Sequence, residues 1–189
     1  MKMNNTKKRF TIYQLATCAL MAALMCVLGP MSIPIGPVPV SLTNLVIYLA
    51  VYLLGMKGAT ASCLIYLLIG AAGMGVFSGY EGGIGKLAGP TGGYLIGFIL
   101  MVLICGFVME KSKCNAVITV IGMIAATLVD YLFGTVWFVM QMQCDVWYAL
   151  TVCVFPFIPF DIAKIIIATA LGKVLRNVLI KSHLLPEQK

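Results

Sequence analysis

Residues 116–141 read AVITVIGMIAATLVDYLFGTVWFVMQ, an unbroken apolar run that carries one charge, Asp130. As a helix rising 1.5 Å per residue it is about 39 Å long, more than the ~30 Å hydrocarbon layer of a bilayer. The apolar positions are continuous rather than alternating, so a barrel strand does not fit and a membrane-spanning helix does. Five further stretches share this character: Thr11–Gly29, Val40–Met56, Gly58–Val76, Thr91–Met109 and Val146–Ile180. The second is short, and the last is interrupted by Pro156 and Pro159. The whole chain of 189 residues is 61% apolar and 10% charged, with a mean hydropathy of +1.04. Soluble domains run at roughly 45–50% and ~25%. A water-soluble globule, a disordered tail and a basic-patch nucleic-acid binder are excluded. The expected fold is all-α, an integral membrane bundle of six transmembrane helices forming one domain over residues 1–189.

The net charge of +7 is segregated. Lys2, Lys7, Lys8 and Arg9 precede the first span. Lys57 follows the second, Lys111 and Lys113 the fourth, and Lys173, Arg176, Lys181 and Lys189 close the chain. Eleven of the thirteen basic residues thus fall on one side, which the positive-inside rule makes cytoplasmic, together with both termini. The basic N-terminus leads straight into apolar sequence without a small-residue cleavage site, so the first span is expected to be retained. Seven cysteines are scattered without a CxxC, and the one histidine, His183, lies in the tail. Neither a metal site nor a disulfide framework is expected.

Two outward connections are unusual. Residues 29–42 read GPMSIPIGPVPVSL, and prolines at 30, 34, 37 and 39 demand a stiff, extended loop. Residues 78–94 read SGYEGGIGKLAGPTGGY, with seven glycines that let backbone approach a ligand or a helix closely. Apolar Ile84, Leu87 and Ala88 suggest that this loop dips into the protein. Tight connection is the simpler reading, but so many prolines and glycines favour a binding role on a rigid scaffold. It is no Walker A: Tyr80 stands where the first Gly should be, and Leu87 where Ser or Thr should follow Lys86.

Intramembrane polar residues mark the candidate site. Asp161 and Lys164 stand at i, i+3 on one helix face, just past Pro159, where a helix N-terminus favours a carboxylate. An ionisable pair in a span is costly and points to function, although a self-neutralising structural pair is the alternative. Asp130 is a second acid, either a packing hub satisfied by Thr127, Tyr131 and Trp137 or a site residue. Thr43 and Asn44 open the second span, facing a cavity or capping a helix, with Tyr48 on their face. Ala19 and Ala23 form a small-xxx-small pair, which serves internal packing or a partner helix.

GPTGGYLIGF at 89–98, with Gly82-Gly83-Ile84-Gly85 before it, PVPVSL at 37–42 and FIPFDIAK at 157–164, closely resembles the signature of BioY, the biotin-binding S component of energy-coupling factor (ECF) transporters. The likeness covers nearly the whole chain. It implies a six-helix membrane protein in the cell membrane, both ends cytoplasmic, with biotin captured near the outer surface under the Pro-rich and Gly-rich loops. It implies as partners a transmembrane T component and two cytosolic ATPases, which use the ATP, so this chain would need no cofactor of its own. The ligand set it implies is Asp161, Lys164, Asn44, Thr43 and the Gly loop through Gly82, Gly83 and Gly92, with Tyr94 and Trp137 as walls. Ala19 and Ala23 would meet the T component. An S component for another vitamin is the nearest alternative. An intramembrane enzyme lacks a nucleophile with a base, no histidine lying in the spans, and a channel lacks a polar-lined helix face.

Overall fold

The computed structural model describes residues 12–33, 38–112 and 115–182. The basic N-terminus, Pro34, Pro37, Lys113, Cys114, His183 and Lys189 lie outside the described residues. The helices are α1 (Ile12–Leu28), α2 (Thr43–Ala71), α3 (Ile84–Ala88), α4 (Gly92–Lys111), α5 (Ala116–Met142), α6 (Val146–Cys153) and α7 (Ile158–Lys181). Three of them, α2, α4 and α5, are long and apolar enough to cross a membrane, and α6 with α7 makes a fourth candidate bent by 47°. Helix α1 is a shorter apolar helix. Large apolar side chains such as Ile121, Leu128 and Leu132 on α5 and Ile166 and Val174 on α7 point outward. In water such a surface would aggregate; in lipid it is solvated.

Helix α2 is two legs. At Gly55 the backbone leaves the helical region (φ 68°, ψ −176°), a conformation open almost only to glycine. Thr43 and Tyr66 nevertheless border one cavity, whereas a straight helix would hold them about 35 Å apart. The chain therefore doubles back at Gly55, close to the turn expected around Lys57. Glu110 caps the second leg, its Oε1 accepting the Met56 N–H at 3.0 Å. Arg176 of α7 donates to the Tyr52 carbonyl at 2.9 Å just before the reversal. Both polar groups are exposed by the break in the hydrogen-bond ladder and would be costly to leave open.

Helix α1 buries Cys18, Met21, Ala22 and Met25 against α2, and turns Ala19, Leu20, Ala23 and Leu24 outward. The Ser62 hydroxyl sits 3.0 Å from both the Cys18 and the Gly58 carbonyl oxygens, fastening α1 to the second leg. The core runs on through Ile47, Val51, Met101 and Met123. Helices α4 and α5 pack closely because glycine removes the intervening side chains. A Cβ at Gly134 would fall 2.2 Å from the Tyr94 ring, and one at Gly97 would fall 2.1 Å from Asp130 Oδ1.

On the loop side the Pro-rich segment adds a feature that an all-α reading omits. Strands β1 (Ser32–Ile33) and β2 (Val40–Ser41) pair antiparallel, with Ser32 opposite Ser41. The extended backbone that proline enforces is what a strand needs, so the loop closes as a small ribbon. The sixth stretch breaks over residues 154–157, around Pro156. Pro159, expected to end the preceding helix, instead occupies the first turn of α7. A first-turn N–H has no intrahelical acceptor, so its loss there costs nothing.

Gly55→Ala should lower stability by about 1–3 kcal/mol, because alanine cannot hold this backbone conformation without strain. Glu110→Gln, which keeps a side-chain carbonyl, should cost less. Thermal unfolding of the detergent-purified variants measures both.

Candidate functional site

The break before α7 sets the site. Because the helix starts at Ile158, Asp161 falls in its first turn, and its backbone N–H donates to the Phe157 carbonyl at 2.9 Å. One turn on, Lys164 Nζ donates to Asp161 Oδ1 at 2.7 Å. The second carboxylate oxygen, Oδ2, accepts a short hydrogen bond from the Tyr131 hydroxyl of α5. Asp161 is 3% exposed and Lys164 5%. Charges so far from water persist only when paired, and here both carboxylate oxygens are engaged while each keeps a free lone pair.

Lys164 and Tyr131 line a narrow cavity of about 60 Å³, with Asp161 joined directly to both. Thr43 and Asn44 at the start of α2 and Tyr94 on α4 line the same space. Apolar walls come from Leu95, Phe98 and Phe157. The fold thus gathers five of the expected site residues, Asp161, Lys164, Asn44, Thr43 and Tyr94, from three helices. Asp130, Tyr66 and Ser78 also border the cavity. Residues such as Tyr66 and Phe98 carry no polar or spacing signal that separates them from ordinary core, so sequence reasoning missed them.

The remaining expected residues stand elsewhere. Gly82 borders an outer depression of about 710 Å³, shared with Glu81, Lys86, Gly89, Phe138 and Tyr148. Thr91 lines both spaces and so stands between them. Gly83 precedes α3 with φ 92° and donates to the Gly70 carbonyl at 2.7 Å. Gly92 opens α4 hard against the Leu87 carbonyl. The Trp137 indole N–H donates to the Gly89 carbonyl at 2.9 Å, and its Cβ lies where a side chain on Gly93 would go. Trp137 is therefore a strut under the Gly-rich loop. Gln141, one turn further, does the same for the Ala88 carbonyl at 2.9 Å.

The neighbours expected to satisfy Asp130 are committed to other partners. Tyr131 is one residue on, about 100° around the helix, and reaches Asp161 instead. Thr127 bonds back to the Met123 carbonyl at 2.8 Å and takes the Tyr48 hydroxyl at 2.6 Å.

The Gly-rich loop is tied down on several sides. Gly79 N–H lies 3.0 Å from Ser32 Oγ in the ribbon, and Lys86 pairs with Glu81. Phe77 is buried edge-on against Tyr66, with ring centres 5.6 Å apart.

The BioY family model matches residues 3–181. This chain belongs to the BioY family. It is 37% identical over 160 residues to the biotin transporter BioY of Thermotoga maritima, covering 84% of this chain and 93% of that one. It is 36% identical over 170 residues to the biotin transporter BioY2 of Lactococcus lactis, covering 90% and 91%. The fold is that of a solved S-component for biotin from an ECF-type ABC transporter, with a TM-score of 0.82 at 31% identity, over 94% of this chain and 95% of the other. A BioY chain with several long apolar helices is a multi-pass membrane protein.

Lys164→Met leaves the Asp161 carboxylate buried without its cation and should destabilise the protein by about 3–5 kcal/mol. The double variant Asp161→Leu with Lys164→Met should recover much of that loss. Comparing thermal unfolding of single and double variants in one detergent checks both statements.

Proposed function

We propose that this chain is the substrate-capturing S component of an ECF-type ABC transporter and takes up biotin. The observation that carries the reading is the buried Asp161–Lys164–Tyr131 cluster beside a cavity, in a chain whose family relatives are biotin transporters. The ureido ring of biotin presents two N–H donors and one carbonyl acceptor. Asp161 would accept N–H groups through its free lone pairs, and Lys164 would donate to the carbonyl. Asn44 and Thr43 add neutral polar contacts, while Tyr94, Leu95 and Phe98 wall the thiophane ring. The valeryl chain would lead past Thr91 toward Lys86, whose ammonium suits a carboxylate. In this reading Gly82, Gly83 and Gly92 shape the loop over the ligand, and Trp137 holds that loop in place.

In the same reading the chain crosses the cell membrane six times, with both termini in the cytoplasm. Supporting this are the one-sided Lys and Arg distribution, the reversal at Gly55 that makes two legs of α2, and the single bent leg formed by α6 and α7. The chain is a binding subunit and not an enzyme; ATP would be hydrolysed by two cytosolic ATPases, coupled through a transmembrane T component. Ala19 and Ala23 lie on the outward face of α1, open to a partner helix that packs closely on small residues.

Titrating the detergent-purified protein with biotin should give an affinity at or below the micromolar range. Asp161→Asn should lower thermal stability, because Lys164 loses its anion, and the fraction that purifies as a single species should bind biotin about a hundredfold more weakly, since a charge-assisted contact is worth about 1.5–3 kcal/mol. Unchanged binding would refute the site.

Replacing Ala19 and Ala23 with leucine should leave biotin binding intact and abolish ECF-dependent uptake of labelled biotin. Loss of both activities would place the pair in internal packing instead.

A further inference from the structure

Asp130 is unexplained by the scheme above. It sits mid-way along α5, 2% exposed, and borders the inner cavity. Its Oδ1 is fully buried and has no hydrogen-bond partner. The group is accommodated by Gly97 on α4, where any side chain would overlap the carboxyl oxygen. The polar groups around it bond to other partners. Lys164 is committed to Asp161 at 2.7 Å and Tyr131 to the same carboxylate. The Tyr94 hydroxyl pairs with Thr135 Oγ1 at 3.2 Å, and Thr127 with Tyr48 and the Met123 carbonyl. Among the described residues the ion pairs are Lys86–Glu81 and Lys164–Asp161, so no cation answers Asp130.

A lone carboxylate in a low-dielectric interior is expensive, whereas the same carboxyl group carrying its proton is a neutral donor. Charge counting agrees. One ammonium and one carboxylate, Lys164 and Asp161, already cancel, and an uncharged Asp130 keeps the cavity neutral. A neutral cavity suits a neutral urea ring. A urea oxygen has two lone pairs, so it can accept one hydrogen bond from Lys164 and a second from another donor.

We propose that Asp130 is a further ligand-contacting residue that works as an uncharged acid: with Oδ1 buried against Gly97, its other oxygen, Oδ2, carries the proton and gives the O–H to the ligand's urea-type carbonyl, the reverse of the acceptor role of Asp161. The proposal rests on the biotin reading of the cavity. The two aspartates then act as a complementary pair. Asp161 selects for N–H groups, and Asp130 selects for a carbonyl oxygen between them.

Isothermal titration of the purified full chain with biotin tests this through three variants. Asp130→Asn keeps an N–H donor of similar shape and should bind within about threefold of the unaltered protein, while Asp130→Ala and Asp130→Leu offer no donor and should each lose about tenfold or more. Either donor-less variant suffices if the other does not elute as a single folded species. If Asp130→Asn loses as much as Asp130→Leu, the acid acts as a carboxylate and the proposal is overturned. If the donor-less variants bind normally, Asp130 makes no ligand contact and the proposal is overturned as well. The biotin analogue 2-iminobiotin, a guanidinium cation at neutral pH, gives a readout on the unaltered protein. It should bind at least about tenfold more weakly than biotin, and equal or tighter binding would mean an anionic Asp130 and overturn the proposal. Failure of the unaltered protein to bind biotin at all would instead remove the underlying reading, and this proposal with it.

Discussion

The ion pair between Asp161 and Lys164 is the constraint around which the loop-side half of the molecule is arranged. Two charges buried to within a few per cent of full coverage are tolerable only at hydrogen-bond distance and with both carboxylate oxygens engaged. That requires a helix start at the right depth. The break around Pro156 supplies it, placing Asp161 in the first turn of α7 and Lys164 one turn on. It also requires a donor for the second carboxylate oxygen, which α5 supplies through Tyr131. The bend between α6 and α7 thus lets a new helix start where its first turn brings Asp161 to Tyr131.

Close packing of α4 on α5 is the second requirement. Side chains larger than hydrogen at positions 97 and 134 would drive these helices apart, because Asp130 and Tyr94 already occupy that space. The glycines therefore decide which polar groups share a cavity. Tyr131, which holds Asp161, and Asp130, which faces Gly97, are adjacent residues of α5, so the helix that packs on α4 also carries the donor to the buried carboxylate. Packing and electrostatics are coupled at this point in the structure.

The loops form a covering that is fastened to the bundle. The ribbon and the Gly-rich segment meet at Ser32 and Gly79, while Trp137 and Gln141 reach up from α5 to two consecutive carbonyl groups, those of Ala88 and Gly89. Each bond satisfies a backbone group that irregular structure would otherwise leave open near the apolar region. The separation of a narrow inner cavity from a wider outer depression, with Thr91 between them, follows from this fastening.

Much of this was legible in the chain alone, because it depends on local order. The apolar runs specify helices, the prolines near 156 specify a break, and spacing of three residues puts Asp161 beside Lys164. The likeness in GPTGGYLIGF pointed to the family. The features that the sequence could not decide are those in which side chains meet across long separations. Thr127, Tyr131 and Trp137 look like natural partners for Asp130 by proximity, yet Tyr131 goes to a residue 30 positions away, Trp137 to one 48 positions away and Thr127 to one 79 positions away. Which face of α1 is buried was equally open, since its apolar residues surround the helix and only the packing turns Ala19 and Ala23 outward. Sequence by itself determined where the chain must be helical, where it must break and which charges are neighbours, because backbone sterics and hydrophobicity act over a few residues. Tertiary structure alone decided which polar groups are satisfied and that Asp130, at the edge of a cavity, has an oxygen without a partner, because a hydrogen bond needs two atoms within about 3 Å, and only folding brings distant atoms that close.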